Sequence, residues 1–215
     1  RLVPEAPGAE GARPPSVAEA GQLLRRPALL LFFAANLVHW AALAPYHVFF
    51  AIHLERIGAS ATSVGAGFAA AVGAEVLVMW RFRDLLRLVA LGALLGLAYA
   101  SGVVRWWLTG TLESGTAIAA LQALHGLTYG AFFVGSLLWL ERVVPDRLRI
   151  TGRALFTSIA FGLGGLLGNG LAGALFDAGG SVLAFRAAAG LELLAPLLLL
   201  AAARLERRPR DQASL

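Results

Sequence analysis

Apolar residues occur in six long runs, which short polar segments rich in arginine separate. The runs cover approximately residues 27–54, 62–82, 89–109, 116–140, 153–176 and 183–203. Each run is near the roughly 20 residues with which an α-helix crosses a bilayer core of about 30 Å. Backbone groups in lipid cannot bond to water, so such runs form helices. The pattern predicts an all-α integral membrane protein with six transmembrane helices.

Three segments follow from this pattern. Residues 1–26 are polar and rich in proline and glycine, which predicts a linker that is disordered or partly helical. Residues 27–204 form the predicted six-helix bundle, and residues 205–215 form a short tail. The first residue is Arg1 rather than methionine, so we expect the chain to be a piece of a longer protein.

Composition agrees with a membrane location. The chain is 58% hydrophobic, has a mean hydropathy of +0.72 and carries 14% charged residues, whereas soluble domains carry about 25%. The sequence pI of 10.9 does not indicate a nucleic-acid partner, because the arginines lie between the apolar runs and form no continuous basic stripe. Cysteine is absent, which excludes disulfides and thiolate metal sites within this sequence.

Arginine distribution predicts the orientation. Fifteen of the 18 basic residues, all of them arginine, lie in the N-terminal segment, the second-to-third turn, the fourth-to-fifth turn and the tail. The opposite side has only Arg56, Arg105 and Arg186. Positively charged segments stay on the cytoplasmic side. We therefore expect both termini of this chain to be cytoplasmic, in a bacterial inner membrane.

Three ionisable residues interrupt the runs. A charge at the bilayer centre costs roughly 2.5–3.5 kcal/mol on insertion scales, so each needs a reason. Glu75 is either a proton or substrate site or a structural carboxylate. Arg105 is either its movable ionic partner or a side chain that reaches the outer headgroups. For Glu192, a structural hydrogen bond is the favoured interpretation.

Polar side chains also share helical faces. Gln122, His125 and Tyr129 follow an i, i+3, i+7 spacing on the fourth run, which predicts one polar face towards a watery cavity. The alternative is that His125 is a neutral donor within a packed core. Asn36 and His39 suggest a second cavity-facing stripe on the first run.

Other positions carry weaker signals. Asn169, on the fifth run, suggests a third cavity-facing position, whereas His47 and His53 are weaker candidates. No zinc-ligand spacing, catalytic triad order, P-loop or dinucleotide fingerprint occurs, so we expect no metal and no cofactor.

Glycine and proline predict local geometry. Gly164 and Gly168, like Gly126 and Gly130, form G-x-x-x-G pairs that let membrane helices approach closely. These pairs serve either static packing or helix movement during a transport cycle. Pro45 should bend the first helix near its middle.

The order and spacing of three motifs resemble the proton-coupled branch of the major facilitator superfamily that contains lactose permease and the phenylpropionate permeases. They are "GAEVLVM" with Glu75, "VVRW" with Arg105 and "LQALHGLTYG" with His125, 30 and then 20 residues apart. The resemblance covers residues 27–203. It implies the C-terminal half of a 12-helix transporter.

The resemblance also implies a mechanism and partners. Glu75, Arg105 and His125 would couple proton movement to the transport of a small organic solute such as an aromatic acid, a sugar or a nucleoside. The partners would be the N-terminal six-helix half, protons, the solute and membrane lipid. One departure is Thr128, where lactose permease has a carboxylate. Glu75 would then carry the proton, or coupling would differ, or the protein would be a uniporter. Expected solute-binding residues are Asn36, His39, Gln122, Thr128, Tyr129 and Asn169.

Two other classes of protein remain open at this stage. A membrane scaffold or sensory subunit would bind a partner and transport nothing. An intramembrane enzyme is disfavoured, because the sequence has no recognisable nucleophile or metal set.

Overall fold

The computed structural model describes residues 17–212, and these residues are almost entirely helical. The α-helices are α1 (Val17–Leu24), α2 (Pro27–Ala42), α3 (Ala44–Arg56), α4 (Ala61–Trp80), α5 (Phe82–Leu88), α6 (Leu91–Thr109), α7 (Gly115–Leu121), α8 (Phe132–Val143), α9 (Arg149–Thr157), α10 (Gly165–Glu192) and α11 (Leu194–Gln212). Short 3₁₀ turns lie at Gln122–Leu124 and Asp146–Leu148, and π-helical segments lie at Gly126–Ala131 and Ser158–Gly164. The predicted all-α membrane fold is confirmed.

The helices group into membrane-length stretches. Five are long and apolar enough to cross a bilayer, and the last of them, Asp146–Glu206, has 61 residues. This stretch changes direction at Gly179 and Gly180, whose φ/ψ values are not helical; Gly180 has φ 72°, in the left-handed region that favours glycine. With that break, the described residues provide the six crossings that the apolar runs predict.

Helices occupy both ends of the described chain. The described part of the N-terminal segment contains α1, and α11 continues through Gln212. Residues 1–16 and 213–215 lie outside the described residues. The second-to-third turn contains the short helix α5.

Helix starts coincide with residues that sequence chemistry favours there. Pro27 and Pro45 stand in the first turns of α2 and α3, where the missing proline N–H costs no helical bond. Regular α-helix is interrupted between these helices at Leu43, two residues before Pro45, where the sequence predicts a bend. Ser60 and Ser114 cap α4 and α7 by accepting hydrogen bonds from the backbone N–H groups three residues further along, those of Ser63 and Ala117.

The arginine-bearing segments lie at two opposite ends of the bundle, as their side-chain contacts indicate. At one end, Arg26 Nη1 donates to Val143 O at 3.0 Å, and Arg147 pairs with Glu19 at 2.6 Å. At the other end, Arg186 Nε donates to Gly110 O at 3.1 Å. The segments that carry most of the arginines thus meet on the side that the charge pattern assigns to the cytoplasm.

Both G-x-x-x-G pairs lie at close helix contacts. A Cβ atom at Gly168 would stand 2.6 Å from Ala41 Cα, and one at Gly164 would stand 2.9 Å from Leu37 O, both on α2. A Cβ at Gly126 would stand 2.6 Å from Ala74 O on α4. The fourth and fifth membrane stretches therefore press their backbones against α4 and α2, as the glycine pattern predicts.

Alanine at Gly168 should destabilise the bundle, because its new methyl group meets backbone atoms that cannot move independently. Overpacking of this kind costs roughly 1–3 kcal/mol. Gly170, two residues along the same helix, has nothing within 4 Å of an added Cβ. In thermal unfolding of the purified full-length protein, we expect Gly168→Ala to lower the midpoint and Gly170→Ala to leave it unchanged or raise it. Equal midpoints for the two variants would contradict the assigned helix contact.

Two apolar clusters fill the bundle, one near each end. The first includes Phe32, Tyr99 and Ala195, and the second includes Phe50, Trp106 and Ala189. Most of the buried polar side chains lie between these clusters along the helices. The residues of this polar layer are Asn36, His39, Arg105, Gln122, His125, Thr128 and Glu192. The layer lies near mid-membrane, where an unpaired polar group is costly.

Candidate functional site

Arg105 is the centre of the polar layer. Its side chain is 0% exposed and makes four hydrogen bonds. Nε and Nη2 donate to Gln122 Oε1 at 3.0 and 2.6 Å, and Nη1 donates to Thr128 Oγ1 at 2.7 Å and to His125 Nδ1 at 2.9 Å. The guanidinium therefore lies inside the bundle, and the alternative in which Arg105 reaches the headgroups is wrong.

The bond to Arg105 decides the proton position on His125. An arginine guanidinium only donates, so His125 Nδ1 must accept and the ring proton lies on Nε2. Nε2 faces Glu75 Oε2 at 3.6 Å. This is ion-pair distance but longer than a hydrogen bond. A line of groups therefore runs from buried Arg105 through His125 to Glu75, whose side chain is 24% exposed.

Aromatic rings cover the guanidinium where hydrogen bonds do not. Its Cζ atom lies 4.3 Å from the centre of the Tyr46 ring and 4.5 Å from that of Trp106. Cation–π contacts of this kind are strongest when they are desolvated. His125 continues the stack, because its ring lies 5.4 Å from Tyr129 at an interplanar angle of 19°. These contacts offset part of the cost of burying the cation.

The fourth membrane stretch changes its helical type within the site. It passes from α7 through a 3₁₀ turn at Gln122–Leu124 to a π-helical segment at Gly126–Ala131. Departures of this kind re-aim side chains and are frequent at functional sites. Gln122, His125 and Thr128, which are three positions apart along this stretch, all bond Arg105.

The position of Asn36 corrects one prediction. Asn36 is 0% exposed and its amide is committed inside the bundle. Its Nδ2 donates to Phe32 O at 2.6 Å, and its Oδ1 accepts from Ser136 Oγ at 2.8 Å and from Tyr99 OH at 3.4 Å. It does not line an open cavity in this arrangement, because packing of α6 and α8 against α2 closes that face.

His39 corrects the same expectation. It is 0% exposed, with Nδ1 2.5 Å from Glu192 Oε1 and Nε2 2.7 Å from Thr128 O. Glu192, for which the sequence indicated a structural bond, is also 0% exposed. The two residues form a second ionisable pair on the other side of Thr128. The sequence did not indicate this pairing, because 153 positions separate its members.

The remaining predicted residues lie at varied positions. Gln122 and Thr128 join the Arg105 cluster, and Tyr129 stacks on His125. Asn169 is exposed on α10 and makes no hydrogen bond to this cluster among residues 17–212. His53 bridges three helices at one end of the bundle, since it contacts Ser181 Oγ at 2.8 Å and Thr109 O at 2.7 Å. In the part of the chain that the structure describes, no three histidine or acidic side chains form a group suited to a metal ion.

Sequence reasoning missed several contributors to the site. Tyr46 and Trp106 cover Arg105, and Ser136 and Tyr99 hold Asn36. The one sequence signal for Trp106 is that it follows Arg105 directly. Tyr46 follows Pro45, and nothing in its local sequence indicates a contact with Arg105.

Comparison with known proteins agrees with this architecture. Residues 8–187 match a family model described as "MFS_1 like family". The chain belongs to this family of the major facilitator superfamily. No solved structure matches significantly.

Two curated relatives are named as transport proteins. The chain is 23% identical over 156 residues to the uncharacterized transporter YwbF of Bacillus subtilis (strain 168), which covers 73% of this chain and 39% of that protein. It is 28% identical over 155 residues to the maltose permease of Geobacillus stearothermophilus, which covers 67% of this chain and 36% of that protein. The matches thus span less than two fifths of each relative.

Proposed function

We propose that this chain is the C-terminal half of a proton-coupled secondary transporter for a small organic solute, working by alternating access in a bacterial inner membrane. The observation that carries the proposal is the line from Arg105 through His125 to Glu75. A fully buried arginine with four hydrogen bonds is costly to assemble in a membrane protein, and intramembrane ionisable groups usually mark ion or substrate pathways. Membership of a transporter family and two relatives named as transporters support the transport class.

The exposure of α4 supports a partner half. Only 11% of the apolar window of Ala61–Trp80 is buried, whereas 61% of the Pro27–Arg56 window is buried. Glu75 stands on α4, so its accessible carboxylate would face the passage between two halves. Solute sites in such transporters lie at the interface of the repeats, near the bilayer midplane.

The residues have distinct proposed roles. Glu75 binds and releases the proton, because it is the accessible acid in the line. His125 relays between Glu75 and Arg105, and Arg105 exchanges its bonds to Gln122 and Thr128 for a solute group or for Glu75. Gln122, Thr128 and Tyr129 contribute hydrogen bonds to solute when Arg105 moves. Sugars, aromatic acids and nucleosides all offer groups for these donors and acceptors, and the name of one relative, maltose permease, favours testing sugars first.

Proton-driven uptake tests this function directly. The full-length protein is reconstituted in lipid vesicles, and radiolabelled sugars, aromatic acids and nucleosides are supplied with an imposed pH gradient, acidic outside. We expect one of these classes to accumulate above its external concentration, and a protonophore to abolish the accumulation. Accumulation that survives the protonophore would contradict proton coupling. Binding of a partner without uptake of any class would favour the scaffold or sensory alternative.

A further inference from the structure

His39 and Glu192 form an ion-pair contact in the interior of the bundle, apart from the line that ends at Glu75. Both side chains are 0% exposed, and Nδ1 lies 2.5 Å from Oε1. Gly102 on α6 leaves the space for this carboxylate, because a Cβ there would stand 3.0 Å from Glu192 Cδ. The bundle is thus shaped around an acidic group that no part of the proposed function uses.

The hydrogen bonds fix how many protons the pair holds. Thr128 O is a carbonyl and can only accept, so Nε2 of His39 carries a hydrogen and donates at 2.7 Å. Nδ1 and Oε1 then share one proton, either as imidazolium and carboxylate or as neutral imidazole and carboxylic acid. Either distribution is neutral overall, which is the low-cost state for a buried pair. Without that proton, two lone pairs would face each other and one negative charge would be buried.

The pair also has an open acceptor. Glu192 Oε2 is buried and has no hydrogen-bond partner among the described residues. Buried polar atoms in native proteins are almost always bonded, so an unpartnered carboxylate oxygen points to a missing proton or ligand. The indole N–H of Trp106, which also lacks a hydrogen bond of ordinary geometry in that part of the chain, interacts with the Glu192 carboxylate. A proton added at Oε2 would therefore compete only with this weak indole contact.

We propose that His39 and Glu192 are a second proton-binding site of the transporter, and that Thr128 links the site to Arg105. Thr128 serves both groups at once, since its carbonyl accepts from His39 and its hydroxyl accepts from Arg105 Nη1 at 2.7 Å. When Arg105 breaks its bond to the Thr128 hydroxyl, Thr128 keeps its carbonyl bond to His39 but loses its connection to the cation. The proton affinity of the His39–Glu192 pair then changes. The use of this proton in transport rests on the proposed function, whereas the shared proton rests only on contacts within the bundle.

Other titratable and charged groups surround the pair and contribute to its proton affinity. Tyr99 on α6 packs its ring 5.0 Å from the ring of His39. Arg105, also on α6, donates to the hydroxyl of Thr128, and His125 accepts from Arg105. The cation Arg105 opposes a net positive charge on the pair. Withdrawal of Arg105 towards Glu75 or a solute should favour uptake of the additional proton.

Infrared difference spectroscopy of the full-length protein in lipid tests the site without any transport measurement. Spectra between about pH 5 and about pH 8, the range in which histidine usually titrates, should contain a carboxyl signal that Glu192→Gln removes. Glu75→Gln should remove a different signal, and Glu113→Gln, at an exposed loop position, should remove neither. Spectra of Glu192→Gln that match the wild type throughout would overturn the proton site.

Thr128→Val tests the link, because valine keeps the carbonyl that His39 uses and removes only the hydroxyl that Arg105 uses. We expect the Glu192 signal to persist with a shifted pH midpoint, and an unchanged midpoint would overturn the link to Arg105. If Glu192→Gln lowers the yield of folded protein, wild-type protein with ¹⁵N-labelled histidine rings answers the same question. One histidine ring should then show a strongly deshielded proton at Nδ1, and this signal should be absent in His39→Gln. Wild-type protein in which no ring shows that proton would overturn the pair.

The two proposals can fail separately. A Glu192 signal in a protein whose uptake ignores the pH gradient would leave the second site standing and contradict proton-coupled transport. Proton-driven uptake in a protein whose Glu192 never changes protonation would leave the transport proposal standing and overturn the second site.

Discussion

Arg105→Lys is expected to abolish transport, although it keeps the positive charge. Lysine has three donors on one nitrogen and no planar fork, so it cannot bond Gln122, Thr128 and His125 at the positions that the guanidinium occupies. Hydrogen bonds to charged groups contribute about 1.5–3 kcal/mol each, so the loss of two is expected to slow solute uptake by roughly 100-fold or more. Initial uptake rates of the full-length protein in vesicles, normalised to protein content, measure this effect.

A matched lysine substitution separates loss of the site from loss of the fold. Arg186 is exposed and makes one hydrogen bond, to Gly110 O at 3.1 Å, which a lysine can replace. We expect Arg186→Lys to transport at the wild-type rate. The amount of folded Arg105→Lys protein should be checked by size-exclusion chromatography, because a buried cation with fewer bonds also lowers stability. Near-normal uptake by folded Arg105→Lys would remove Arg105 from the proposed mechanism.

Glu75→Gln is expected to separate solute movement from proton movement. Glutamine has nearly the same shape as glutamic acid, but its amide cannot release a proton. The accumulation ratio driven by a pH gradient should therefore fall to about one, while exchange of labelled for unlabelled solute across the membrane continues. Glu75→Gln removes the change of charge at position 75, so any dependence of the exchange rate on external pH that remains should come from the His39–Glu192 pair.

The comparison of net accumulation with exchange makes this prediction specific. A variant that misfolds loses both activities, whereas a variant defective only in coupling keeps exchange. Glu113→Gln, at an exposed position between α6 and α7, is the matched control and should keep both. Uphill accumulation by Glu75→Gln at the wild-type level would show that another group carries the coupled proton, and the His39–Glu192 pair would be the first to examine.

The carboxylates of Glu75 and Glu192 differ in their access to solvent, and the mechanism proposed above depends on this difference. Glu75 is 24% exposed on its side chain, whereas Glu192 is 0% exposed. A proton from outside the bundle therefore reaches Glu75 first. Thr128 lies between Arg105 and His39, so a single residue joins the accessible and inaccessible groups.

Some of this organisation was predictable from the sequence because it depends on local chemistry. Apolar run lengths predicted the six crossings, and Pro45 lies two residues after the interruption between α2 and α3 at Leu43. The spacing of Gly164 and Gly168 predicted a close helix contact, since only the absence of a side chain allows it. The regular spacing of Gln122 and His125 indicated a shared polar face, and both reach Arg105.

The pairing of residues from distant helices was not predictable in this way. Periodicity places Asn36 and His39 on one face of the first helix but does not say whether that face meets water or another helix. Packing decided the matter, and both residues are fully buried. The fate of Glu192 likewise depended on the empty space at Gly102, which belongs to a different helix.

The sequence by itself determined that this chain is a helical membrane bundle and that Glu75, Arg105 and His125 are exceptional within it, because hydropathy, charge and glycine spacing act over a few helical turns. Only the tertiary structure decided which polar groups share a bond. Thr128, in the π-helical segment after His125, reaches both Arg105 and His39, and Gly102 on α6 leaves the space for Glu192. Such contacts join residues tens to more than a hundred positions apart, and their geometry is set by how whole helices pack.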